Sequence, residues 1–214
     1  MLQADKPFTI ALPAGRMSEE SLDFFTKNGF AEFSTRADRE LAFFDTTGTI
    51  RILLVRNQDV PLCLLHGGAE AGVCGRDVIL EHRYDLTVPV ALPFGHCRLS
   101  VAASVAKKDQ LFQLPHIRVA TKYPKLAAAW FQEQGLSCEI IKMHGSVEVA
   151  PLMNIADCIV DLVSTGNTLK ANGLVELEVI ERSTALLLVS RPAYALQNQK
   201  VTDLISKSRK AIES

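Results

Sequence analysis

A run of small and hydroxyl-bearing residues follows a short apolar segment in the second half of the sequence. Apolar residues 158–160 precede Asp161, and after two more residues come Ser164, Thr165, Gly166, Asn167, Thr168 and Leu169. Small residues let the backbone turn so that consecutive N–H groups point at one spot, where the hydroxyls add further donors. Such a turn can bind a phosphate, and the acid before it can hold ribose hydroxyls or a divalent metal. The spacing therefore predicts a site for a sugar phosphate.

Commoner motifs offer alternatives for this run. An ordinary strand-to-helix connection with a serine or threonine cap also carries short sequences of the Thr-Gly-Asn-Thr kind. The longer string, an acid followed after two residues by Ser-Thr-Gly-Asn-Thr-Leu, is much rarer by chance. It has neither the Gly-Lys-Ser/Thr of a P-loop nor the spaced glycines of a dinucleotide-binding turn. We therefore interpret it as a different kind of phosphate site.

The hydrophobic pattern predicts the elements that position this run. Strands alternating with helices indicate an α/β fold with mainly parallel strand pairing. One strand is predicted at residues 158–160, ending before Asp161, and short helices are predicted to begin at Leu169 and at Pro192. Residues 1–93 with 181–214 are expected to form one lobe. Residues 94–180 are expected to form a second lobe that carries the phosphate loop, with a ligand cleft between the two.

The composition of the 214 residues indicates a folded protein without a general affinity for polyanions. Hydrophobic residues make up 48% of the sequence, which is enough for a full core. The formal net charge is −1, from 23 basic and 24 acidic residues, which argues against nucleic-acid and membrane-surface binding. No apolar run approaches the ~20 residues of a membrane span, and no signal peptide is visible, so we expect a cytoplasmic protein.

The cysteines and histidines show no pattern typical of disulfides or metal sites. The five cysteines are odd in number and include no Cys-x-x-Cys pair, which predicts reduced cysteines in apolar surroundings. The five histidines are scattered along the chain, so a histidine metal site is not expected.

Five separated segments of the sequence form a recognisable set. They are ALPAGRM (11–17), GVCGRDVILE (72–81), VATKYP (119–124), GSVEVAP (145–151) and DCIVDLVSTGNTLKANGL (157–174). Together they resemble the ATP phosphoribosyltransferase family, which catalyses the first step of histidine biosynthesis. The resemblance covers nearly the whole chain in one order, and the last segment is highly specific. It implies a two-lobed fold like that of type II periplasmic binding proteins. It also implies condensation of ATP with phosphoribosyl pyrophosphate (PRPP), with Mg²⁺ held mainly by the substrate phosphates.

The resemblance also implies roles for residues outside the loop. Arg16, in the turn after the first strand, and Arg39, which would reach the phosphates across a dimer interface, are expected to support the departing pyrophosphate. Further contacts to ATP or pyrophosphate are expected from Gly15, Arg56, Asp77, Lys122, Tyr123 and Glu148. Structural alternatives stay open for three of them. Arg56 could pair with Asp59 and Asp77 could cap a helix, while Glu148 could either cap its own helix or bind ribose.

The expected reaction explains why no catalytic triad or acid–base pair is visible. N1 of adenine already carries a lone pair, so its attack on the anomeric carbon needs no protein nucleophile and no strong base. The protein must instead align N1 with that carbon and stabilise the charge on the departing pyrophosphate. Arginines and a metal ion suit that second task.

Two departures from the family pattern are visible. Ala14 stands where a lysine usually precedes Gly-Arg, so one cation near the phosphates is missing or supplied elsewhere. The chain ends at Ser214, soon after the second lobe, which is typical of the short form without a C-terminal regulatory domain. That form implies a homodimer within a hetero-oligomer. It also implies a separate regulatory subunit resembling histidyl-tRNA synthetase, which would confer the sensitivity to histidine.

Two other functions stay open on the residues alone. A purine or pyrimidine phosphoribosyltransferase also joins an acid to a Thr-Gly-x-Thr turn. Its loop usually carries two adjacent acids, however, and here Val160 precedes Asp161. A non-catalytic binding protein could use the same two-lobed fold to hold a small anion, although secreted versions should carry a signal peptide.

Overall fold

The computed structural model describes residues 7–33, 40–196 and 199–213. The chain divides into two compact units. Unit 1 comprises Met1–Ile79, Arg83–Gly95 and Thr184–Ser214, and unit 2 comprises Leu80–His82 and His96–Ser183. The main divisions follow residues 95 and 183, whereas the sequence analysis places them after residues 93 and 180.

Strands and helices alternate along much of the chain, which confirms the predicted α/β class. The strands are β1 (Phe8–Pro13), β2 (Ala42–Phe44), β3 (Ile50–Val55), β4 (Ala71–Gly75), β5 (Thr87–Ala91), β6 (Cys97–Ser104), β7 (Ile117–Thr121), β8 (Cys138–Lys142), β9 (Cys158–Val163), β10 (Leu174–Ser183) and β11 (Ala185–Val189). The helices are α1 (Arg16–Lys27), α2 (Val60–Leu65), α3 (Arg76–His82), α4 (Pro124–Glu133), α5 (Val149–Leu152), α6 (Asn167–Ala171), α7 (Arg191–Ala195) and α8 (Gln199–Glu213). Among the described residues, no helix combines the length and the apolar character of a membrane span.

Unit 1 is built on a six-stranded sheet with the order β2-β3-β1-β4-β11-β5. Strand β1 runs parallel to β3 and β4, while β2 is antiparallel to β3 and β11 is antiparallel to β4 and β5. Apolar residues of α1 and α8 pack in the core on one side of the sheet, and those of α2 and α3 pack in the core on the other. The central strands β1, β4 and β11 are therefore buried along their whole length.

Unit 2 is built on a five-stranded sheet with the order β10-β6-β9-β7-β8. Strand β9 is its central strand, antiparallel to β6 and parallel to β7. Cys158 and Val160 pack with α4 in one core cluster, whereas Ile159 and Val163 pack with α5 and α6 in another. Because both faces of β9 are covered, its position is fixed by packing on either side, and the loop that follows it starts from a rigid strand.

Several predictions about these elements are corrected. Pairing is mixed rather than mainly parallel, since β2, β5, β6, β10 and β11 all have antiparallel neighbours. Strand β9 continues to Val163, which pairs with Arg98 of β6, so Asp161 lies inside the strand rather than after it. The helix after the loop begins at Asn167, two residues before the predicted start. The helical region that begins near Pro192 is divided into α7 and α8.

The cysteines fit the predicted reduced state. All five are free. Cys74 and Cys158 are buried in apolar surroundings, and this burial raises the pKa of both thiols. The neutral thiol is therefore the favoured form, and these two cysteines act as small apolar core residues.

Candidate active site

The loop after β9 offers hydrogen-bond donors that the protein itself does not use. Gly166 has a φ of +79°, a left-handed conformation that a side chain would strain, and a Cβ there would contact a single atom at 3.9 Å. Glycine is therefore required for its conformation rather than for space. In the part of the chain that the structure describes, the hydroxyls of Ser164 and Thr168 and the N–H of Thr165 make no hydrogen bond. The Thr165 hydroxyl accepts only the Asn167 N–H, at 3.5 Å.

This loop forms one side of a pocket of about 340 Å³ within unit 2. The lining includes every residue predicted from the loop pattern, namely Asp161, Ser164, Thr165, Gly166, Asn167, Thr168 and Leu169. Lys122 and Glu148 also line it, as do four residues that the sequence analysis missed, Ser146, Ile159, Leu162 and Val163. Of these four, Ser146 could have been found from the sequence, because it stands two residues before Glu148 in the same motif. The size falls within the ~300–1,000 Å³ of small-molecule sites.

Asp161 has few donors around its carboxylate. Its Oδ1 accepts the N–H of Leu162 at 2.9 Å, and the Lys122 Nζ lies 3.5 Å from the same oxygen. Burial raises the pKa of Asp161 above its ordinary value, although the nearby Lys122 charge acts in the opposite direction. The Glu148 carboxylate adds to the rise. An ionised carboxylate in these surroundings is stabilised by any ligand that donates hydrogen bonds to it.

The neighbouring candidates differ in their access to the pocket. Glu148 occupies the N-cap position of α5, but its side chain makes no capping hydrogen bond and lines the pocket, so the capping alternative is wrong. Lys122 directly follows β7, whose last residue, Thr121, donates its hydroxyl to the Val160 carbonyl and accepts the Tyr123 N–H. Tyr123 is only 5% exposed and packs in the core beside α4. The structure therefore does not bring the Tyr123 side chain into this pocket.

The candidates Gly15, Arg16, Arg56 and Asp77 belong to unit 1. Gly15 has a φ of +100° in the turn after β1, a conformation that favours glycine. Arg16 begins α1, where its side chain is 65% exposed and its Nε lies 3.6 Å from the Glu20 carboxylate. Such an exposed pair contributes little stability, so Arg16 remains available to a ligand. Arg39 lies outside the described residues.

Two further candidates of unit 1 have different surroundings. Arg56 follows β3 and is exposed, and within the described residues no ion pair joins it to Asp59. Asp77 is 1% exposed in the first turn of α3. Its carboxylate covers Gly75, because a Cβ at Gly75 would lie 2.2 Å from Asp77 Oδ1. The Asp77 side chain is therefore part of the packed turn between β4 and α3.

A protein-family model described as HisG: ATP phosphoribosyltransferase matches residues 56–210. The chain belongs to this family. The ATP phosphoribosyltransferase of Caldanaerobacter subterraneus is 42% identical over 205 residues, which cover 95% of this chain and 97% of that protein. The one of Leptospira biflexa is 44% identical over 198 residues, covering 92% and 97%. The match therefore spans nearly the whole of both relatives.

Solved structures support the family and the fold. A chain from the ATP phosphoribosyl transferase (HisG:HisZ) complex of Thermotoga maritima superposes with a TM-score of 0.79 at 32% identity, covering 96% of this chain and 98% of that one. The periplasmic aliphatic sulphonate binding protein of Escherichia coli gives a TM-score of 0.63 at 11% identity, covering 96% and 72%. The second likeness concerns the fold alone and confirms the predicted fold, which is like that of type II periplasmic binding proteins.

Family membership confirms the predicted activity and removes the alternatives. ATP phosphoribosyltransferases are pentosyltransferases that condense ATP with PRPP in the first step of histidine biosynthesis. The single acid before the loop, rather than two adjacent acids, was the sequence feature that separated this reaction from that of the purine and pyrimidine enzymes. A purely anion-binding role does not fit this membership.

The family is generally metal-dependent, and the pocket residues fit an ion that is held largely by other ligands. Within the described ranges, no group of three or more His, Cys, Asp or Glu residues could hold a metal. The pocket contains two carboxylates, those of Asp161 and Glu148. Mg²⁺ typically takes one or two carboxylates together with substrate phosphates and water. Two carboxylates can supply part of the ligands of such an ion, but they are too few to enclose it without substrate and water.

Proposed function

We propose that the pocket of unit 2 binds PRPP, with the ribose phosphate in the loop and the ribose hydroxyls on Asp161. The observation that carries this proposal is the unused set of donors in residues 164–168, next to a half-buried carboxylate with few partners among the described residues. Backbone N–H groups and hydroxyls suit a phosphate, and an ionised carboxylate suits the two hydroxyls of a ribose. The Lys122 ammonium opposes the rise that burial causes in the pKa of Asp161, and it adds positive charge near the bound phosphates.

The protein then acts mainly by positioning. Holding the ribose at both its phosphate and its hydroxyls fixes the direction in which the anomeric carbon faces the adenine N1 of ATP. The N1 lone pair forms the new bond to carbon as the bond to pyrophosphate breaks, and the leaving group takes that electron pair. Arg16 and Arg39 are proposed to stabilise this developing charge, and the other unit 1 candidates, Gly15, Arg56 and Asp77, are proposed to support the ATP and pyrophosphate side.

Mg²⁺ is the metal ion proposed for this reaction. Glu148 would add a protein ligand to those that the substrate phosphates provide, since it is the pocket carboxylate not assigned to ribose. When bound, the ion neutralises negative charge on pyrophosphate. Glu148 therefore has a different proposed partner from Asp161, although both acids line one pocket.

We also infer that this chain works with a second kind of subunit in the cytoplasm. The solved Thermotoga maritima structure, to which this chain is similar along nearly its whole length, is a complex of HisG with HisZ. The resemblance identified from the sequence implies a regulatory subunit like histidyl-tRNA synthetase and a homodimer within the hetero-oligomer. Both expectations concern assembly, and neither changes the proposed PRPP pocket.

The test is substrate binding to loop variants of the full chain. Thr165→Val removes a hydroxyl without changing the shape of the side chain, and Gly166→Val strains a left-handed residue and crowds the neighbouring donors. Thr165→Val should raise the Kd for PRPP about tenfold, the effect of losing one hydrogen bond to a charged group, and Gly166→Val should raise it further. The Kd for ATP should not change. Isothermal calorimetry with Mg²⁺ measures both.

Thr87→Val is the matched control, because Thr87 lies on β5 in unit 1 and outside this pocket. It should leave both dissociation constants unchanged. If the two loop variants bind PRPP as tightly as the parent chain, the loop does not hold the ribose phosphate and the proposal is wrong.

A further inference from the structure

Arg98, on β6, is tied to both a neighbouring strand and the phosphate loop. Its Nε and Nη2 donate to the two carboxylate oxygens of Glu176 on β10, each at 2.5 Å. Its remaining terminal nitrogen, Nη1, donates to the backbone carbonyl of Ser164 at 3.0 Å. A guanidinium presents its donors in a rigid plane, so the bond to Glu176 fixes the direction in which Nη1 points.

Glu176 is itself held in place. Its Oε1 also accepts the hydroxyl of Ser100 at 2.7 Å, and Ser100 is fully buried. The hydrogen bonds from Arg98 lower the pKa of Glu176, so the ion pair stays charged. In the sheet, Arg98 pairs with Val163 and Ser100 pairs with Asp161. The ion pair therefore lies directly beside the strand that delivers both Asp161 and the loop.

The hydrogen bond from Arg98 to the Ser164 carbonyl also sets the orientation of the following Thr165 N–H. In a trans peptide the C=O and the following N–H point in opposite directions. Fixing the Ser164 carbonyl toward Arg98 therefore turns the Thr165 N–H away from Arg98, and this N–H is one of the unused donors of the loop. If that peptide unit could rotate, the donors would no longer be aligned before the ligand arrives, and ordering them would reduce the affinity.

We propose that Arg98 and Glu176 are positioning residues for the phosphate loop. Glu176 locks the Arg98 guanidinium, and Arg98 holds the Ser164 peptide so that the loop presents its donors to the ribose phosphate of PRPP. This inference rests on the proposed PRPP site. Neither side chain lines the pocket, so both act through the loop rather than on the ligand.

Unit 2 contains a matched arginine for comparison. Arg118, on β7, donates through Nε and Nη2 to the carboxylate of Asp157 at 3.1 and 3.0 Å, and through Nη1 to the Asn154 carbonyl at 2.8 Å. Its side chain is 34% exposed and that of Arg98 is 30% exposed. The two arginines make the same kinds of bonds. Only the carbonyl held by Arg98 belongs to a residue that lines the pocket.

The experiment compares Arg98→Met with Arg118→Met in the full chain, by calorimetric titration with PRPP and with ATP in the presence of Mg²⁺. Arg98→Met should raise the Kd for PRPP about tenfold or more and leave the Kd for ATP unchanged. Arg118→Met should leave both unchanged, even where both variants lose thermal stability to a similar extent. Equal PRPP affinity in the two variants would overturn the inference.

Conservative variants keep the result decisive if Arg98→Met does not fold. Arg98→Lys retains the charge but cannot hold Glu176 and the Ser164 carbonyl with one rigid plane, so it should weaken PRPP binding to an intermediate extent. Glu176→Gln should also weaken PRPP binding. In the Arg98→Lys background it should cause no further loss of PRPP affinity, since Glu176 acts through the Arg98 guanidinium. Steady-state kinetics should show the same split, with a raised KM for PRPP and an unchanged KM for ATP. Parent-like PRPP affinity in Arg98→Lys and Glu176→Gln would contradict the proposal.

Thr165→Val separates this inference from the proposed function. If Thr165→Val weakens PRPP binding and the Arg98 variants do not, the loop binds PRPP but Arg98 does not position it. If Thr165→Val has no effect, the PRPP site itself is misplaced and the positioning role falls with it.

Discussion

Two aspartates four residues apart, Asp157 just before β9 and Asp161 within it, have opposite surroundings. The Asp157 carboxylate accepts the Arg118 Nε and Nη2, the Arg118 backbone N–H and the Lys107 Nζ, all at 2.8–3.1 Å. Asp161 accepts one backbone N–H and faces the Lys122 ammonium at 3.5 Å. Both carboxylates are largely removed from solvent, so the difference lies in how many donors the fold supplies.

These surroundings shift the pKa values of the two aspartates in opposite directions. The Arg118 guanidinium and the Lys107 ammonium hold the pKa of Asp157 far below its usual range, whereas burial raises that of Asp161. A carboxylate with a full set of donors stabilises the folded state and has nothing left to offer a ligand. A buried carboxylate with few donors costs stability when ionised and regains it on binding a donor. The contrast therefore supports the proposal that Asp161 serves the ligand, whereas Asp157 serves the fold.

The largest effect that tests this comparison is expected from Asp161→Asn. The variant loses two charged hydrogen bonds to the ribose hydroxyls, each worth about 1.5–3 kcal/mol, so kcat/KM for PRPP should fall about 100-fold or more. Its thermal midpoint at neutral pH should not fall, because the raised pKa means that ionising Asp161 costs stability as pH rises. Steady-state kinetics and thermal unfolding measure the two effects. A loss of stability without a loss of PRPP binding would reverse the assignment.

The second variant, Asp157→Asn, should show the opposite pattern. It breaks the charged contacts to Arg118 and Lys107 and should lower the free energy of unfolding by about 1–3 kcal/mol, with PRPP affinity retained. The folded-state pKa of Asp157 is lowered, so its contribution is complete above the ordinary pKa of an aspartate and is lost as pH falls toward the lowered value. The stability difference between parent and variant should therefore shrink below about pH 4. Urea unfolding at pH 7 and pH 3 checks both statements, and a difference that grows on acidification would contradict them.

The loop was predictable because its signal is local. Positive φ at Gly166 and hydroxyls at neighbouring positions depend on consecutive residues, so the sequence shows them directly. The end of β9 was predicted wrongly because an aspartate normally interrupts an apolar run. Here the antiparallel pairing with β6 continues for two residues beyond Asp161 and keeps the strand extended.

The ion pairs around the loop could not be predicted from local patterns. Arg98 and Glu176 are 78 residues apart and meet only because β6 and β10 are neighbours in the sheet. The same holds for the contrast between Asp157 and Asp161, since each is an acid next to an apolar run and the donors of Asp157 come from β7 and from residue 107. Sequence spacing singled out Asp161 as the candidate ligand-binding acid through its distance from the loop, not through its surroundings.

The smallest expected effect concerns the single charge that opposes the raised pKa of Asp161. Lys122→Met removes that charge, so the pKa of Asp161 should rise further. In the proposed site PRPP binds the ionised acid, so on acidification PRPP affinity should be lost at a higher pH in the variant than in the parent chain. PRPP itself titrates, but its own protonation is common to both titrations and cancels in the shift. Calorimetric Kd values for PRPP from pH 5 to pH 8 locate the acid limb, which is the pH range in which affinity falls on acidification.

Lys107→Met is the control for this titration, since Lys107 makes the corresponding contact with Asp157 at 2.8 Å. It should leave the acid limb of PRPP binding in place, while reducing stability. Lys122→Met is also expected to weaken PRPP binding at every pH through the loss of a positive charge, so the position of the limb, rather than the affinity, is the decisive quantity. A limb that does not move in Lys122→Met, or that moves equally in Lys107→Met, would mean that Asp161 is not the group whose ionisation PRPP binding follows.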